Sequence, residues 1–234
     1  ADRDEIARAR VLPYQLLMAY NAALMAMPRS ILKALEAALE ISIENAPALP
    51  GKTWVFLDVS GSMQSPVTGV RKDATSAVRC VDVAALFAAA IMRRNPEAEV
   101  IPFEGHVVRL RLNPRDTVLT NAQRLAGVGG GSTNCSAPLA ELNGRRGMAD
   151  TVIYVSDSES WVDSKPGSWR DGTAVMQQWE ILKDRCPEAR MVCIDPQPDA
   201  TPQAADRLAG VSIAKHVRGW EKASDHVPVL IELN

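Results

Sequence analysis

No excess of basic charge runs through this sequence. Its Lys and Arg number 26 against 28 Asp and Glu, a formal net charge of -2 over 234 residues, so the chain carries no electrostatic footprint for a nucleic acid. Between Arg71 and Arg124 basic residues outnumber acidic ones nine to six, too small an excess to form a binding stripe. Cysteine is scarce: Cys80, Cys135, Cys186 and Cys193 are scattered, with no C-x-x-C pair. That argues for buried free thiols in a reducing cytosol and against a disulfide framework or a zinc site. There are only three histidines, none spaced with another ligand. No apolar stretch reaches membrane-spanning length, the longest being broken by charges. Residues 1–10 are mixed-charge and polar, unlike a signal peptide. The expectation is a soluble, cytoplasmic protein with no membrane partner. A phosphate-cradling P-loop is excluded, because GVGGGSTN (127–134) lacks the lysine that reaches the phosphates.

What remains is an ordinary globular balance, 47% apolar and 23% charged, in a chain long enough to bury a sizeable core. Residues 1–48 are rich in Ala, Leu and Met. VLPYQLLMAYNAALMAM (11–27) and SILKALEAALEISIEN (30–45) place apolar residues near a 3.6 spacing and predict two helices. In the second, Ile31, Leu35, Leu39 and Ile43 form one stripe, with Glu40 and Glu44 expected to face away. NAPALPG (45–51) breaks the helix and serves as a linker, dividing a helical segment (1–50) from a larger domain (51–234).

Beyond the linker the rhythm changes to strands alternating with helices. TWVFLDV, DTVIYVSD and ARMVCID are continuous apolar runs separated by helical patterns, which predicts an α/β fold, doubly wound, with a mostly parallel sheet. AEVIPF and HVVRLRL, joined at Glu104-Gly105, predict a hairpin that adds one antiparallel edge strand. A helix over 116–127 starts at Asp116 as its cap. The tail predicts a last strand over 213–220 and a terminal helix over 224–233.

In such sheets the ligand crevice lies outside the carboxyl ends of the strands. There WVFLDVSGS (54–62) ends an apolar run on Asp58 and follows it with Ser60 and Ser62. Asp157 ends a second strand at the same rim, and the glycine-rich loop bearing Thr133 returns to it. Two serines on one side of a tight turn, a third hydroxyl and two carboxylates suit magnesium or manganese, which take oxygen ligands. A cup of mainly neutral hydroxyls leaves the cation electrophilic, with one position open to a partner's carboxylate. Trp161 and Trp169 flank a polar loop after Asp157, where they serve either as partner anchors or as buried loop residues.

These residues resemble the metal-ion-dependent adhesion site of von Willebrand factor A domains, and residues 51–234 resemble such a domain throughout. LPYQLLMAY, ILKALEAALEISIEN, FLDVSGSM, GGGSTNCSAPL and VSDSES together resemble the Ro60/TROVE family, its bacterial members in particular. In that family a helical-repeat ring carries RNA and is closed by an A-type domain, and residues 1–48 resemble the ring's last helices. The resemblance implies metal ligands at Asp58, Ser60, Ser62, Thr133 and Asp157. It also implies a non-enzymatic ribonucleoprotein that handles small non-coding, Y-like RNA through the ring, with an RNA-processing nuclease as a further partner.

Two other classes stand beside this reading. A stand-alone adhesion or assembly module would use the same cup without RNA. A serine hydrolase would take Ser60, Asp157 and His216 or His226 in the order of nucleophile, acid and histidine. The nucleophile elbow needs G-x-S-x-G, however, and Asp58 stands where its first glycine belongs.

Overall fold

Strand β1 (Thr53–Asp58) is buried at every position, because the sheet continues on both of its edges and helices cover both of its faces. It runs parallel to β2 (Glu99–Phe103) on one side and to β3 (Thr151–Val155) on the other. β4 (Arg190–Asp195) is parallel to β3. β5 (Val211–Ile213) and β6 (Val229–Leu233) complete a six-stranded sheet of order β2-β1-β3-β4-β6-β5. This is a computed structural model, and it describes residues 2–9, 11, 13–45, 48–67, 78–157, 174–196, 211–213 and 229–233. Trp161, Trp169, His216 and His226 lie outside the described residues.

Alternation along the strands sends side chains to two apolar layers. Val55 and Leu57 of β1 and Ile153 and Val155 of β3 face α4 (Cys80–Arg94) and α5 (Val118–Ala126). Trp54 and Phe56, with Val152 and Tyr154, face Leu139 and Leu142 of α6 (Ala137–Gly144) and Trp179 and Leu182 of α7 (Ala174–Arg185). Tyr154 meets Phe56 edge-on at 5.0 Å and Phe103 at 6.0 Å, the geometry aromatic quadrupoles favour. Its hydroxyl donates to the carbonyl of Cys135 at 2.8 Å, which ties the segment after the glycine loop to β3. Each large apolar side chain buried this way contributes roughly 1.5–3 kcal/mol.

Among the described residues three helices precede the sheet, not two. A short α1 (Arg3–Ala9) comes before α2 (Pro13–Ala23) and α3 (Arg29–Ser42), the last ending in a 3₁₀ turn at Ile43–Asn45. Leu17, Tyr20, Leu39 and Ile43 share one core with α4 and α5. Ile31, expected in the buried stripe, is exposed. Glu40 does not face away. Its carboxylate accepts from the Val118 backbone N–H at 2.6 Å and lies 3.6 Å from Arg93, so it satisfies a free donor at the start of α5. Thr117, one residue past the expected cap, accepts from the Thr120 N–H, while Asp116 pairs with Arg124.

The antiparallel strand is not the one expected. After the turn at Glu104-Gly105 the chain makes a single bridge, Phe103 to Val107, and no strand follows over 108–112. Val108 N–H donates to the Pro102 carbonyl, but Pro102 has no N–H to return, and the ladder stops there. At the other end of the sheet, Val229–Leu233 is a strand where a terminal helix was predicted. It runs antiparallel to β4 and to β5, so its backbone is paired on both edges, which five residues of helix could not achieve. β5, not the antiparallel member, is the outer strand. Among the described residues no helix is long and apolar enough to cross a membrane.

Candidate metal centre

The chain leaves β1 at Asp58 and turns at once. The Ser60 backbone N–H donates to Asp58 Oδ1 at 2.8 Å, an Asx-type closure that folds the next residues back over the strand end. Ser60 and Ser62 then lie on the same side of the turn with their Oγ atoms 3.2 Å apart. Asp58 and Ser60 are fully buried, and Ser62 is half-buried.

The glycine loop is laced to this turn by its backbone. Gly130 N–H donates to the Val59 carbonyl and Gly61 N–H to the Gly131 carbonyl, both at 2.8 Å. Gly129 sits at φ +88°, and a Cβ there would lie 2.2 Å from the Val59 carbonyl oxygen, so only glycine allows this approach. Thr133, two residues beyond Gly131, is buried in the same loop. Asp157 follows β3 on the adjoining strand, half-buried. The structure thus joins Asp58 to Ser60 and Ser60 to Ser62, laces the loop carrying Thr133 to their turn, and sets Asp157 just past the end of the neighbouring strand.

Two residues of this arrangement were missed in the sequence. Ser156 Oγ donates to Asp58 Oδ2 at 2.6 Å, so both carboxylate oxygens are held. Glu104 accepts from Gly131 N–H through Oε2 at 2.8 Å and from Asn134 N–H through its backbone carbonyl at 2.9 Å, bracketing the loop from the β2 side. Ser156 carried a usable signal, being the residue next to a strand-ending aspartate. Glu104 carried none, because its partners lie in a loop near residue 130.

Burial raises the Asp58 pKa above its ordinary value; hydrogen bonds from Ser156 and Ser60 pull it back, and the like charge of Asp157 adds to the rise. Among the described residues no lysine or arginine pairs with Asp58. A buried carboxylate with only neutral donors and a second negative charge nearby is costly, and a cation at this rim would offset that cost. No group of three or more His, Cys, Asp or Glu able to hold a metal occurs among the described residues, so the serine and threonine hydroxyls would have to supply ligands. Hard oxygen donors of this kind fit magnesium or manganese.

A profile of the Ro60 vWA domain matches residues 52–168, half of the chain. The chain belongs to the Ro60 vWA domain family. It is 29% identical over 136 residues to the RNA-binding protein RO60 of Deinococcus radiodurans, an overlap of 58% of this chain and 24% of that protein. The Ro60-type chain therefore spans about a quarter of the curated relative it matches. The crystal structure of the Deinococcus radiodurans RO (RSR) protein superposes with a TM-score of 0.56 over 77% of this chain and 37% of that one, at 22% identity. That likeness establishes the α/β fold with its mostly parallel sheet.

Proposed function

We propose that this chain is a non-enzymatic, divalent-cation-dependent binding domain of a Ro-like RNA-binding protein. The observation that carries the proposal is Asp58: fully buried, held on both oxygens by neutral donors, and adjacent to two serine hydroxyls 3.2 Å apart. Asp58, Ser60, Ser62, Thr133 and Asp157 would hold Mg²⁺ or Mn²⁺, directly or through water. A bound ion supplies a Lewis-acidic position that an oxygen from an acidic protein group can occupy. Ser156 keeps the Asp58 carboxylate oriented, as outer hydrogen bonds do for metal ligands generally.

The RNA side of the proposal rests on family membership and on the name of the Deinococcus relative. Binding of small, Y-like non-coding RNA belongs to the helical-repeat ring, with an RNA-processing nuclease as a further partner and a cytoplasmic setting. The net charge of -2 accords with an A-type domain that closes the ring without supplying the main grip on RNA.

Calorimetric titration with Mg²⁺ and Mn²⁺ tests the metal reading. Saturable binding by the wild type, lost in Asp58→Ala while the circular dichroism spectrum is kept, supports it; equal binding by the two rejects it. Filter binding of 3′-tailed structured RNA, to this chain and to one joined to a full helical ring, tests the RNA reading. RNA retention by the joined chain supports it, and retention by neither leaves the adhesion-module reading in its place.

A further inference from the structure

An open cleft of about 670 Å³ lies between residues 105–109 and one face of α6, on the far side of the glycine loop from the candidate cup. The glycine loop links the two. Gly105 stands so close to the glycine loop that a Cβ on it would lie 2.6 Å from Ser132 Oγ, and Ser132 precedes Thr133. From there the cleft follows Ala137, Ala140 and Gly144, spaced to lie along one face of the helix. α6 has eight residues, so the cleft runs on the order of 12 Å from the rim.

The cleft's charge is arranged. Glu141 Oε1 accepts from Arg109 Nη2 at 2.8 Å and from Arg145 Nε at 2.8 Å, and both arginines line the cleft. One carboxylate oxygen of α6 thus tethers two guanidinium groups, Arg145 from beside its own helix and Arg109 from the facing segment, so the Arg109–Glu141 pair joins the two sides of the cleft. Arg109 Nε and Nη1 and Arg145 Nη1 make no hydrogen bond among the described residues, which leaves donors for an incoming anion. Planar guanidinium groups held in place this way suit a carboxylate, which they can grip with two parallel N–H bonds.

We infer that this cleft is the second half of a bipartite site for an extended acidic peptide of a partner protein: one acidic side chain at the cation rim, and a second acidic side chain on Arg109 and Arg145. The inference rests on the metal reading above and adds the element that selects the peptide. An extended chain rises about 3.3 Å per residue, so acids roughly three or four residues apart span the cleft. The small side chains of Ala137, Ala140 and Gly144 leave room for a peptide backbone. The lining has no Phe, Tyr or Trp on which a nucleic-acid base could stack, its one ring being the His106 imidazole, and the chain's net charge of -2 gives no wider basic field for a phosphate backbone.

The test uses fluorescence anisotropy with a fluorescein-labelled peptide of alternating glutamate and glycine, its glutamine counterpart, and a labelled uridine oligonucleotide, each in Mg²⁺. The wild type is expected to bind the glutamate peptide and not the other two. Arg109→Ala combined with Arg145→Ala should weaken that binding by about tenfold or more while calorimetric Mn²⁺ binding stays at the wild-type level. Arg109→Lys with Arg145→Lys should fall between the two, since lysine keeps the charge and loses the fork. Wild-type peptide affinity in the double-alanine protein overturns the inference, as does preferential binding of the oligonucleotide through these arginines. Absence of Mn²⁺ binding in the wild type rejects the metal reading, a separate failure read in the calorimeter.

Discussion

Ser156 Oγ donates to Asp58 Oδ2 across a chain separation of 98 residues, at 2.6 Å. The two residues sit at the ends of adjacent parallel strands, β3 and β1, so the sheet register itself brings hydroxyl and carboxylate together. With Ser60 N–H on Oδ1, the carboxylate is clamped before any ion arrives. Removing the clamp leaves a buried acceptor without one of its donors. Ser156→Ala should therefore lose about 1–3 kcal/mol of stability, read as a lower urea midpoint at unchanged m-value. An unchanged midpoint would mean that the hydrogen bond does not hold the carboxylate in solution.

Much of this rim was legible in the sequence, for a physical reason. A buried apolar run that ends on a carboxylate is rare unless the charge is used, and WVFLD and VIYVSD both end so. The parallel topology brings their ends to one side. The errors came from interactions that act at a distance or through backbone donors. Pro102 stops the expected hairpin because it lacks an N–H, although the alternation in HVVRLRL fits a strand. Val229–Leu233 pairs on two edges, and five aliphatic-rich residues do not by themselves distinguish strand from helix. Glu40 has a solvent-facing place in its own helix pattern; its role comes from α5, 78 residues away.

That contact gives a prediction for the N-terminal helices. Glu40 joins α3 to the first turn of α5, where it accepts from Val118 N–H and faces Arg93. Glu40→Ala should destabilise the protein by about 0.5–2 kcal/mol, the range for losing a helix-start acceptor. Glu40→Gln, which keeps an acceptor oxygen, should recover part of the loss. Thermal unfolding of the two variants measures this. Equal loss in both would assign the effect to charge alone.

The thiols give a pH dependence. Burial, followed by the nearby charges of Asp157 and Asp195, pushes Cys80 up to about 11, and burial pushes Cys193 up to about 11. Both lie above the ordinary thiol value of 9.0. In the unfolded chain these thiols ionise first, so their contribution to stability is complete below the ordinary value and is lost as pH rises toward about 11. Urea midpoints should fall over that interval. At mildly alkaline pH Cys80, which is fully buried, should resist iodoacetamide in the folded protein and react in urea. Rapid labelling of Cys80 in the folded state would contradict the burial described.

The most direct test of the central claim, a cation cup built on hydroxyls, is an anomalous difference map from crystals grown with Mn²⁺. The account predicts one strong peak at the strand-end rim, with Ser60 Oγ, Ser62 Oγ and Thr133 Oγ1 among its ligands and Asp58 and Asp157 beside it. A map with no peak there, or with manganese bound by a different set of residues, would contradict it.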